Sequence, residues 1–130
     1  MAQETFKRYE KKYLISRAQY EALMLDLKDH VKGDEFKQYT ICNLYYDTPD
    51  YRLIRHSLQH PVYKEKLRIR CYGQATADAD VFLELKKKYK GIVYKRRIKV
   101  TEDEGVSFMN RTGSLKTDNQ ISREILYFRD

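Results

Sequence analysis

Polar and apolar positions alternate over residues 6–14, with Arg8, Glu10 and Lys12 on one side and Tyr9 and Tyr13 on the other, which predicts a first strand. Ser16 and Gln19 form a capping box, and Tyr20, Leu23, Leu27 and Val31 then recur at helical spacing until Gly33, predicting an amphipathic helix over 16–32. Residues 39–46, rich in Ile, Thr and Tyr, read as a second strand that closes on Asp47-Thr48-Pro49-Asp50, a turn or helix start leading into a short helix through Leu58. The clearest strand runs over 62–72, where Leu67, Ile69 and Cys71 fall on one side and Lys64, Lys66, Arg68 and Arg70 on the other. Residues 81–89 and 91–101 predict two more strands joined as a hairpin at Lys90-Gly91. Alternation stops beyond Glu102, and 106–110 and 121–128 read as helices. The expected class is α+β: an antiparallel sheet with flanking helices.

With 130 residues, the chain has room for one domain. Lys and Arg number 26 against 19 Asp and Glu, and the net charge of +7 favours an anionic partner such as nucleic acid, phosphate chains or a membrane surface. No run approaches the ~20 apolar residues of a membrane span, and residues 1–7 lack the apolar segment of a secretory signal. The expected location is therefore the cytoplasm. Cys42 and Cys71 stand alone without CxxC spacing, which predicts buried, reduced thiols.

The charge becomes informative when it is placed on the strands. Period two puts Lys64, Lys66, Arg68 and Arg70 on one face, Glu84, Lys86 and Lys88 on one face of the next strand, and Lys95, Arg97 and Lys99 on one face of the last. Each ladder alone reads equally as a solvated surface that keeps the protein soluble. Several together oppose like charges across a sheet, which is destabilising unless an extended, multivalent anion lies between them. Guanidinium forks and mobile ammonium groups suit linked phosphates. Glu10 and Glu84 share these faces, either as carboxylate ligands for a divalent cation or as plain ion-pair partners.

Other chemistries find little support. His56 and His60 have i,i+4 spacing but lack the Glu of HExxH, and His30 reads as a dipole partner at a helix C-terminus. There is no Walker A loop, GxGxxG or GxSxG, so no catalytic nucleophile is assigned. The RNP signatures of an RNA-binding sheet are missing too, which leaves a basic β-rich nucleic-acid binder as the weaker alternative.

Five ordered motifs carry a resemblance: residues 6–16 (FKRYEKKYLIS), 43–49 (NLYYDTP), 66–73 (KLRIRCYG), 81–86 (VFLELK) and 93–97 (VYKRR). Together they resemble the VTC (vacuolar transporter chaperone) polyphosphate polymerase domain, of the CYTH or triphosphate tunnel metalloenzyme superfamily. The resemblance implies a closed antiparallel tunnel that binds ATP, triphosphate or polyphosphate with Mn²⁺ or Mg²⁺, and transfers the terminal phosphate of ATP to a growing polyphosphate chain. Carried over motif by motif, it implies Lys12, Lys66, Arg68, Arg70, Lys86, Lys95 and Arg97 as phosphate ligands, and Glu10 and Glu84 as metal ligands. Triphosphate hydrolysis is a sibling activity, and a noncatalytic polyphosphate-binding or regulatory module is an alternative. Arg8 stands where the superfamily's ExExK pattern has its first acid, which weakens the metal site. The family's further tunnel strands have no counterpart here, so the expectation is a C-terminally incomplete domain, a partial barrel that forms a homo-oligomer through unpaired strand edges.

Overall fold

The computed structural model describes residues 3–33 and 39–130. Five strands, β1 (Thr5–Tyr9), β2 (Ile41–Tyr46), β3 (Tyr63–Tyr72), β4 (Asp80–Tyr89) and β5 (Ile92–Thr101), form one antiparallel sheet in the order β1-β5-β4-β3-β2. Four helices accompany it: α1 (Arg17–Leu27), α2 (Arg52–Leu58), α3 (Glu102–Met109) and α4 (Gln120–Arg129). The architecture is the α+β class expected. The sheet is open, and β1 and β2 are its edges.

The long central strands follow from their alternation. Leu67, Ile69 and Cys71 of β3, Val81, Leu83 and Leu85 of β4, and Ile98 and Val100 of β5 lie on one face and are buried. Helices α3 and α4 cover that face with Phe108, Ile121 and Ile125. Gly105 lets α3 approach, since a Cβ there would lie 3.2 Å from Val100 and 3.5 Å from Ile69. The β4–β5 hairpin turns at Lys90 and Gly91 with φ of 46° and 82°, the left-handed pair that matches strand twist.

Three boundaries differ most from the pattern-based expectation. The first strand stops at Tyr9 instead of Leu14, because Tyr9 pairs with Ile92, the first residue of β5, and beyond it the chain has no partner backbone. Helix α1 ends at Leu27, and none of its residues is buried; Tyr20 and Leu23 are exposed, so it is helical through local interactions. These are the reciprocal Ser16–Gln19 cap and the Arg17–Glu21 pair one turn apart. Helix α3 begins at Glu102 rather than 106: Thr101 caps it, and the acids Glu102, Asp103 and Glu104 fill a first turn that favours negative charge.

The expectation of two buried thiols holds for Cys71 alone. Cys42 lies opposite it in the β2–β3 ladder but is exposed, on an edge strand of the sheet. Among the described residues, no helix is long and apolar enough to cross a membrane.

Candidate anion-binding face

The side of the sheet away from α3 and α4 is built from cross-strand rows that the register dictates. One row reads Tyr45, Arg68, Glu84, Arg97 across β2, β3, β4 and β5. The next reads Lys66, Lys86, Lys95, Phe6 across β3, β4, β5 and β1. A third joins Lys64, Lys88, Val93 and Arg8. Three lysines in direct register are unfavourable neighbours. Of the lysines in these rows, Lys64, Lys66 and Lys88 have no carboxylate within ion-pair distance among the described residues.

A cavity of about 460 Å³ opens over these rows. Lys66, Arg68, Arg70, Lys86 and Lys95 line it from the sheet, Glu10 and Lys12 from the segment after β1, and Tyr45 from β2. Six of the seven phosphate ligands expected from sequence therefore meet in one place. Arg97 shares the face but does not line the cavity. Its guanidinium lies 4.3 Å from the centre of the Phe82 ring and 5.1 Å from that of Phe6, and its Nε donates to the Gln3 carbonyl at 2.8 Å.

The two carboxylates differ. Glu84 is fully buried at the centre of four cations: Arg68 at 2.6 Å, Lys95 at 3.7 Å, Arg97 at 3.8 Å and Arg70 at 4.0 Å. Burial disfavours the Arg68 cation, but the hydrogen bonds and charge of Glu84, with help from Tyr45, outweigh it and hold Arg68 above the usual arginine range. Glu10 is partly exposed and sits within reach of Lys86 at 3.1 Å, Lys12 at 3.5 Å and Arg8 at 3.8 Å. The hydrogen bond from Lys86 keeps its carboxyl below the ordinary glutamate value. Lys95, by contrast, is held below the usual lysine range: burial dominates, Glu84 opposes it, and Arg97, Arg8 and Arg70 add to it.

Both carboxylates face cations rather than other acids. Among the described residues no three His, Cys, Asp or Glu side chains come together, Glu84 is already surrounded by positive charge, and hard cations take several oxygen ligands. The histidines add no donors, since His56 Nε2 faces the Tyr63 carbonyl at 3.1 Å and lies, like His60, on the surface.

Residues 7–128 match the family model described as VTC domain. The chain belongs to the VTC domain family. No curated protein matches it. In this VTC domain, sequence reasoning missed several residues of the site. Tyr45 accepts a hydrogen bond from Arg68 Nη1 at 2.9 Å, and its ring lies under Lys66 and Arg68 at 5.8 and 5.6 Å. Phe6 carries the Lys95 ammonium 3.8 Å from its ring centre. Arg8, Lys64 and Lys88, placed on the basic faces by alternation but not assigned as phosphate ligands, line the cavity too. The alternation of β2 placed Tyr45 on a face, but only the β2–β3 register sets it opposite Arg68.

Proposed function

We propose that this domain binds linear phosphate chains, triphosphate and inorganic polyphosphate, on its basic face. The VTC family is consistent with a polyphosphate-related function. The row Lys66-Lys86-Lys95 carries the reading: three ammonium groups in direct register, with Glu10 and Glu84 as their only carboxylate partners among the described residues. That arrangement is costly without an anion, and a polyanion relieves it. In the phosphotransferase form of the reading, ATP supplies the phosphate. The terminal oxygen of a polyphosphate chain bonds to the γ-phosphorus as the bond to the β–γ bridging oxygen breaks, and ADP leaves. Lysines and arginines would contribute by positioning both chains and neutralising the equatorial oxygens.

The carboxylate geometry favours a second reading, binding without turnover, since among the described residues no three His, Cys, Asp or Glu side chains gather on the face. Two measurements test both. Displacement of a bound fluorescent polyphosphate by tripolyphosphate, but not by random-sequence RNA of equal charge, supports the phosphate site, and the reverse result overturns it in favour of nucleic-acid binding. Incubation with ATP and Mn²⁺ then separates the readings, with polyphosphate formation supporting transfer, release of orthophosphate supporting triphosphatase action, and neither product supporting a binding module.

A further inference from the structure

We propose that Glu84 is a positioning residue, a built-in anion that gathers Arg68, Arg70, Lys95 and Arg97 before any phosphate arrives and that a bound phosphate chain partly replaces. The proposal rests on the phosphate reading above. It starts from an asymmetry between the two oxygens of one buried carboxylate. Oε2 is fully engaged, with Arg68 Nη2 at 2.6 Å and Nε at 2.7 Å. Oε1 is buried and has no hydrogen-bond partner, although Lys95 Nζ stands 3.7 Å away and Arg97 Nη1 3.8 Å. Buried carboxylate oxygens are normally satisfied.

The two nearby cations are not equally free to complete it. Arg97 is gripped between the Phe82 and Phe6 rings and tied to the Gln3 carbonyl. Lys95 rests against a single ring, 3.8 Å from the Phe6 centre, but ends on a flexible stem, and its side chain lines the cavity. Its ammonium therefore stands between an unsatisfied oxygen inside the sheet and the space where a phosphate oxygen would lie. Four cations around one carboxylate leave a local excess of positive charge even with Glu84 ionised. A phosphate chain supplies the missing negative charge from the cavity side. A divalent cation at Oε1 would instead enter between Lys95 and Arg97, against their repulsion.

Glu84→Gln and Glu84→Asp distinguish this role from metal ligation and from plain packing. The amide keeps the shape and removes the charge; the shorter acid keeps the charge. The apo Glu84→Gln protein should melt lower than wild type, and tripolyphosphate without metal should restore most of the loss. By linkage, its tripolyphosphate affinity by calorimetry should then rise about tenfold, with a steeper salt dependence. Glu84→Asp, which keeps the charge one methylene further back, should shift tripolyphosphate affinity much less than Glu84→Gln. If Glu84→Gln fails to fold alone, recovery of folded protein on refolding with tripolyphosphate, but not in sodium chloride of equal ionic strength, supports the proposal; recovery in neither overturns it. An equal loss of melting temperature with and without tripolyphosphate would reduce Glu84 to packing, and loss of Mn²⁺-supported binding alone would make it a metal ligand. Wild-type protein that ignores tripolyphosphate sinks the phosphate reading, whereas wild-type binding left unchanged in Glu84→Gln sinks this one.

Discussion

Lys66→Met separates a cation kept for a ligand from one kept for the fold, because the two predict opposite signs. Lys66 is half-buried, lies directly opposite Lys86, and has no carboxylate partner among the described residues. Its polar contact is the face of Tyr45 at 5.8 Å. Methionine keeps the length of the stem and its packing, so removal of the charge relieves a like-charge contact worth roughly 0.2–1 kcal/mol. The apo protein should therefore become more stable by about that amount, as read from the midpoint of urea unfolding at unchanged slope. A charge-assisted contact to phosphate contributes about 1.5–3 kcal/mol, so tripolyphosphate affinity should fall by about ten- to a hundredfold in calorimetry at low salt. Both effects should shrink as salt rises, since the site opens to solvent. A variant that loses stability and keeps its affinity would refute the reasoning and return the ladder to a solvated face.

Arg68→Ala should behave differently: it strips the fork from buried Glu84 and should destabilise the fold by about 3–5 kcal/mol, so an unfolding midpoint near wild type would contradict the ion-pair geometry. Lys95 supplies a pH signature. Its folded-state pKa is depressed, so the unfolded chain holds this proton to higher pH, and the stability penalty of charging it is present below the folded value and relieved as pH rises towards the ordinary 10.5. Tripolyphosphate affinity should fall over the same window as the ammonium is lost, and Lys95→Arg should move that fall to higher pH; superimposable profiles for the two proteins would rule Lys95 out. The edge strand β2, with Ile41 and Leu44 exposed, should pair between copies, and light scattering from a strict monomer at high concentration would exclude that association.

Period two in the sequence already determined which residues of β3, β4 and β5 share a face, because alternation is a property of the extended backbone itself. The partition of Leu67 and Ile69 from Lys66, Arg68 and Arg70 was legible for that reason, as was the helix start at the Ser16–Gln19 cap, which is closed by neighbours in the chain. The family was legible too, in ordered motifs that span most of the chain. What alternation leaves open is register, and register decided the site. Pairing of β3 with β4 and β4 with β5 turned three separate ladders into the row Lys66-Lys86-Lys95, and put Glu84 between Arg68 and Arg97. The first strand was overread because its pattern continues past Tyr9 while its partner ends at Ile92, and a strand lasts only as long as the backbone it pairs with. Helix α1 shows the converse: its apolar spacing is real, yet Tyr20 and Leu23 stay exposed, since an amphipathic face is buried only where another surface meets it.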